Sequence, residues 1–192
     1  MTSKSELTKQ RIVQAANQLF YRKGFSQTSF SDVVAEADVP RGNIYYYFKS
    51  KEEILKAVVR YRLDTTSGML AEWEKTIKDP QKRLQRFVRI MYDSTPALLR
   101  SGCPMGTLAM EFAKGEQELK EQSKKLFDLF QRWLANQFID MGYAEEAHDL
   151  SLQLLARGQG LILVSQVYQD PGFLERGTQE LDRWIDELAR YA

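Results

Sequence analysis

Cysteine and histidine are nearly absent from this chain: 192 residues hold one of each. One cysteine cannot build an intramolecular disulfide framework, and it fits a reducing compartment. One histidine and no cysteine cluster leave no ligand set for zinc, so no metal is expected. No apolar run approaches the roughly 18 residues a membrane span needs, and the polar N-terminus has no signal-peptide core. No membrane partner is therefore expected. P-loop, dinucleotide fingerprint and nucleophile elbow are all missing. The lone His148 lies in the polar run Glu145-Glu-Ala-His-Asp149 and reads as a surface residue. The expectation is of a protein that is not an enzyme and carries no cofactor.

Net charge is also nearly absent, at +1, but it is unevenly spread. Residues 1–62 hold eleven Lys and Arg against six Asp and Glu, a net of +5, and the remainder holds 16 against 20, a net of −4. A basic head on an acidic body suits a head that meets phosphates.

What the chain does have is helical periodicity and enough apolar content, 43%, for a substantial core. Internal repeats, low-complexity tracts and convincing strands are lacking. The fold class expected is all-α, with about nine helices. Thr28 to Leu55 organises the rest. Ser29 and Asp32 form a capping-box-like pair. Phe30, Val33, Val34 and Ala37 follow at helical spacing. Asp38 tolerates a left-handed turn better than most residues, and Pro40 suits the first position of the next helix. There Ile44 and Phe48 face inward, leaving Arg41, Asn43, Tyr45 and Tyr46 on other faces. Gly42 allows close approach of backbone to a phosphate. Two short helices around a tight turn read as a helix-turn-helix.

This stretch resembles the N-terminal domain of TetR-type (TetR/AcrR) transcriptional regulators. Thr28, Val33, Ala37, Val39, Gly42, Ile44, Tyr45, Tyr47, Phe48, Ser50, Lys51, Glu52 and Ile54 meet the family pattern. Asp38 stands where the family usually has Gly, and Pro40 where it usually has Ser. The resemblance implies a helix-turn-helix DNA-binding domain over 1–50 and a helical effector-binding and dimerisation domain over 51–192. It further implies a bacterial cytoplasm, a double-stranded DNA operator, a small-molecule effector and, as a family expectation, repression.

The remaining helices follow from pattern. Ser3-x-x-Glu6 resembles a capping box and opens the first helix, with Ile12, Ala15, Ala16, Leu19 and Phe20 buried and Lys9, Arg11 and Arg22 on the other face. Gly24 ends it with a left-handed cap. A fourth helix from Ser50 to about Ile77 spans roughly 40 Å, and Gly68 weakens it midway. Asp79-Pro80 starts a fifth with Pro96 near its end. A sixth follows the Ser101–Gly106 break to about Lys114. The seventh runs from about Glu116 to Met141, with Gly142 as its stop. The last two occupy residues 145–168 and the segment after Pro171-Gly172.

Candidate DNA-binding residues are Thr28, Ser29, Arg41, Gly42, Asn43, Tyr45, Tyr46 and Lys51. Arg41 leads, since Arg pairs bidentately with guanine O6 and N7. Thr28, Ser29 and Lys51 lie where helix starts meet phosphate. Tyr47 and Phe48 read as core. Gly158, Leu161, Leu174, Leu181, Trp184, Ile185 and Leu188, on the last two helices, form either an ordinary core or a homodimer interface in a four-helix bundle; the resemblance favours the homodimer. Met69, Trp73, Phe87, Met91, Phe127 and Phe130 can be core, or can close a pocket for an apolar or aromatic ligand. The resemblance implies such a pocket, with Gln159 and Ser165 as possible polar contacts. Cys103 reads most simply as a buried hydrophobe. Its Gly102-Cys103-Pro104 setting before a helix also resembles, locally, the electrophile-sensing NemR group, which implies a thiol-sensing alternative. A protein of another class, a helical ligand-binding or scaffold protein that does not bind DNA, is separated from these by salt-sensitive, sequence-selective binding.

Overall fold

Ten α-helices and no strand make up the secondary structure among the described residues of the computed structural model, which are 4–113 and 117–191, with the side chain of Arg41 also outside the description. Ser3, Lys114 and Glu116, expected at helix ends, lie outside the described residues. The helices are α1 (Lys4–Lys23), α2 (Phe30–Ala37), α3 (Arg41–Tyr47), α4 (Lys51–Thr76), α5 (Pro80–Asp93), α6 (Thr95–Ser101), α7 (Pro104–Phe112), α8 (Gln117–Asp140), α9 (Ala147–Tyr168) and α10 (Pro171–Tyr191).

One helix more than expected comes from Pro96. The segment read as a single fifth helix ends at Asp93, and Ser94 leaves helical geometry at φ −100°, ψ 7°. A proline inside the helix would clash with the carbonyl four residues back and donate nothing. In the first turn of α6 its ring costs nothing, and the Thr95 hydroxyl takes up the Tyr92 carbonyl at 2.7 Å. Gly68, by contrast, does not break α4, which runs unbroken through it.

The chain divides into two compact units. The first comprises Met1–Thr65 and Thr107–Leu126. The α1 stripe of Ile12, Ala15, Ala16, Leu19 and Phe20 is buried, as its spacing predicts. It meets Val33 and Ala37 of α2, Ile44 of α3, and Ile54, Leu55, Val58 and Val59 of α4. Leu108 and Phe112, far along the sequence, complete this core. Phe25 packs edge-on between Phe20 and Phe112, at 5.3 and 5.2 Å between ring centres. Each fully buried Ile, Leu or Phe contributes about 1.5–3 kcal/mol. Gly24 turns the chain after α1 at φ +84°, a conformation in which glycine avoids a β-carbon clash.

The second unit comprises Thr66–Gly106 and Phe127–Ala192. Helix α10 packs along α5 and α9, and α9 also meets α6. Leu84, Val88, Leu134, Phe138, Leu154, Leu174 and Ile185 are its fully covered centre. Among the described residues no helix is long and apolar enough to cross a membrane.

Candidate nucleic-acid interface and regulatory body

The helix-turn-helix begins with a complete capping box. Asp32 N–H donates to Ser29 Oγ at 3.1 Å, and Ser29 N–H donates to Asp32 Oδ2 at 2.8 Å. These bonds from the Ser29 backbone and hydroxyl, with Lys23 close by, hold the Asp32 carboxyl at about 2. Three side-chain links tie α1 to α2 and its turn: Lys23 to Asp32 at 3.3 Å, Arg22 to Glu36 at 2.5 Å, and Arg11 to Asp38. Asp38 takes the turn in the left-handed region, φ 49°, ψ 56°. Pro40 stands one place earlier than expected, as the N-cap of α3 with ψ 138°. Its ring sets φ equally well there, and helix limits shift by a residue with definition.

Ile44 and Phe48 are buried and fix the inner side of α3. Tyr46 is 74% exposed and Tyr45 46%. The Tyr45 ring lies parallel on Phe30 at 5.3 Å, which holds it fixed while leaving its edge in solvent. Gly42 is exposed and Asn43 half-buried. The backbone of Arg41 starts α3; its side chain, the leading readout candidate, is outside the described residues. Ser29 is exposed, with its hydroxyl engaged in the capping box. Tyr47 is half-buried, its hydroxyl 2.9 Å from Ser5 Oγ.

Two candidate residues are spent internally. Thr28 is 1% exposed, and its hydroxyl donates to Gly24 O at 2.7 Å. The Lys51 ammonium donates to Phe25 O at 2.9 Å and sits 4.3 Å over the Phe25 ring. From the other side, Glu111 of α7 accepts the N–H groups of Phe25 at 2.9 Å and Ser26 at 2.6 Å. Burial pushes the Glu111 carboxyl up, but the bonds from Ser26 and Phe25 and the Lys51 charge outweigh it, and its pKa falls below the usual 4.5. Sequence reading missed Glu111, because nothing local links it to a turn 85 residues earlier. Arg11 lies on the exposed face of α1, as expected, but its bonds to the Ala37 and Asp38 carbonyls are not legible in the sequence.

In the second unit, Trp73, Phe87, Met91, Cys103 and Phe130 share one apolar cluster, with Met69 packed on it. Trp73 meets Trp133 edge-on at 5.8 Å, and Phe87 lies 5.4 Å from Phe130. Phe127 is half-buried. Cys103 is 8% exposed, and Gln159 Nε2 donates to its sulfur at 3.3 Å. Among the described residues, Trp133 Nε1 and Ser165 Oγ are buried without a hydrogen-bond partner. An open cleft of about 380 Å³ lies elsewhere, between Glu74, Arg83, Asn136, Gln137, Ile139 and Asp140. Arg83 donates there to Ile77 O, Glu74 O and Gln137 Oε1, so the cleft reads as a braced helix junction.

The residues expected at a dimer interface split. Leu174, Leu181 and Ile185 are buried inside their own chain. Gly158 is buried as well and faces Met91, whose sulfur would lie 3.2 Å from an added β-carbon. Leu161, Trp184 and Leu188 are partly buried against the same core. Helix α9, by contrast, is apolar on two sides. One side, Leu154, Leu155 and Ile162, covers the core, while Leu152, Leu163, Val164, Val167 and Tyr168 are left in solvent.

A capped helix-turn-helix braced by α1, followed by an all-helical body, defines a DNA-binding transcriptional regulator. Residues 12–58 match the bacterial regulatory proteins of the tetR family, and residues 80–180 match the LmrA/YxaF-like C-terminal domain of transcriptional regulators. The chain belongs to the TetR family of transcriptional regulators, with a C-terminal domain of the LmrA/YxaF type. It is 28% identical over 175 residues to an HTH-type transcriptional regulator in the lacX 3' region of Lactococcus lactis subsp. lactis, covering 88% of each chain. A TetR transcriptional regulator from Legionella pneumophila superposes with TM-score 0.80 at 25% identity over 97% of both chains. The reduced form of Escherichia coli NemR shares the fold at TM-score 0.79 and 18% identity, covering 92% of this chain and 97% of NemR. Regulators of this family bind DNA operators and form dimers.

Proposed function

We propose that this regulator is a cytoplasmic homodimeric repressor, without enzymatic activity, that a small apolar or aromatic effector releases from its operator. The observation that carries the DNA-reading part is α3. Its inner side is anchored by Ile44 and Phe48, while Gly42, Tyr45 and Tyr46 are left in solvent. The first 50 residues are assigned to DNA and the rest to effector binding and dimerisation. Arg41 reads a base, Asn43 and Tyr46 contact base edges or phosphates, and Thr28 and Lys51 act by holding the turn after α1. In the body, Trp73, Phe87, Met91 and Phe130 line the effector site. Effector entry changes the separation of the two heads, so that they no longer fit successive half-sites.

Fluorescence anisotropy with the duplex upstream of the protein's own coding sequence, against a scrambled duplex, tests this reading. Preference for the upstream duplex is expected, weakening as salt rises. Binding to neither at low salt refutes it. Arg41→Ala should cost about 1–3 kcal/mol on the preferred duplex and relax its sequence preference; unchanged affinity and preference would remove Arg41 from the interface. The thiol-sensing alternative has less support, because Cys103 is buried and engaged by Gln159. It requires that a quinone release the DNA and that Cys103→Ser abolish that response.

A further inference from the structure

The turn between α2 and α3 is weakly closed by its own backbone. Asp38 N–H reaches Ala35 O at 3.3 Å, and Val39 N–H reaches Val34 O at 3.5 Å. Pro40 has no N–H to add. Asp38 also holds a left-handed conformation that a residue with a β-carbon adopts at a cost. Against this stand two short bonds from α1. Arg11 Nη2 donates to Ala37 O and to Asp38 O, each at 2.7 Å, and lies 3.4 Å from Asp38 Oδ2. A guanidinium at the last carbonyls of a helix also complements its negative end. The Asp38 side chain is 99% exposed, so the carboxylate part is screened and the two carbonyls carry the interaction. Ile12 and Val13, next to Arg11, are buried, which gives the latch a fixed base.

We propose that Arg11 is a positioning residue for operator reading: its guanidinium latches the turn carbonyls to α1 and thereby sets the direction in which α3 leaves the turn. The inference rests on the DNA-binding reading above. In this role the Arg11 Nη2 group acts on the turn carbonyls within the head and not on a DNA phosphate. The two roles leave different marks. A phosphate contact supports all duplexes alike and contributes about one unit to the salt slope. A latch supports the preferred duplex above others, because only base readout demands the orientation of α3.

The test uses the full chain with Arg11→Ala, and Arg11→Ala combined with Asp38→Gly. Affinity is measured on the upstream and scrambled duplexes across a salt series, with amide hydrogen exchange of residues 38–48 on the free protein. Arg11→Ala should weaken upstream binding on the order of tenfold, weaken scrambled binding much less, leave the salt slope in place, and speed exchange across the turn. Glycine takes the left-handed conformation without the latch, so the double variant should recover part of the protection and of the preference, including where Arg11→Ala alone folds poorly. Equal losses on both duplexes, a slope lower by about one unit and unchanged exchange would overturn the latch. So would a double variant with no recovery. If the unaltered chain prefers neither duplex, the DNA reading fails first, and the exchange measurements alone decide whether Arg11 holds the turn.

Discussion

Glu111 and Lys51 grip one turn from opposite sides, the carboxylate on its amides and the ammonium on a carbonyl. Glu111→Gln keeps the shape but loses the charge. Discounted for partial exposure, it should cost about 1 kcal/mol, read from denaturant midpoints. The sign of its pH dependence follows from the lowered pKa. The stabilisation is present above 4.5, the ordinary glutamate value, and is lost as pH falls through the depressed folded value. The gap between wild type and variant should therefore close in acid. A gap constant with pH would show that the charge contributes nothing. Asp182 works in the opposite sense. Burial and the neighbouring Asp186 raise its pKa, so its contribution is lost as pH rises through that raised value. At this scale, sequence reading succeeds where partners are local. Ser29 and Asp32 are three residues apart, and their spacing states their bond. The residue types of Thr28 and Lys51 were legible, but their partners were not. Glu111 and Arg11 meet residues brought near only by tertiary packing, which periodicity does not encode.

Helix-level patterns fixed element types and most limits, because apolar spacing, Gly24, Gly142 and Asp79-Pro80 all act locally. One element departed from expectation for a stated reason: Pro96 split the fifth helix. Helix α4 runs continuously through Gly68. An alanine β-carbon at Gly68 would meet nothing within 4 Å, and α4 is regular there. Gly68→Ala should therefore raise stability by about 0.5–1 kcal/mol. A fall in thermal midpoint would show that the glycine serves a backbone conformation that alanine does not tolerate. Helix α9 shows the limit of periodicity. Its apolar residues run around much of the circumference, so no stripe in the sequence says which side meets its own core. Tertiary packing decides it, and that is why Gly158, one of the residues expected at an interface, is found facing Met91 of its own core.

For the whole molecule, the side of α9 left in solvent is the surface we expect a second copy to cover. Leu163 and Val167, 60% and 68% exposed, lie four residues apart on one side, and Ala156 and Gly160 continue it as small exposed residues that permit close helix approach. Leu163→Glu with Val167→Glu should halve the mass seen by light scattering and weaken operator binding, since one head reaches one half-site. A dimer that survives both charges would place the interface elsewhere. Folding also has a consequence for recombination. The unit that holds the helix-turn-helix is assembled from two stretches separated by some 40 residues, with Leu108, Phe112 and Glu111 supplied by the later one. A gene fusion that transplants only the first 65 residues onto a foreign sensor leaves Phe25 without Phe112, one of its two aromatic neighbours, and its turn without the carboxylate. Grafts that carry both stretches keep the head intact, so chimaeric regulators built on this scaffold are best designed with two crossovers.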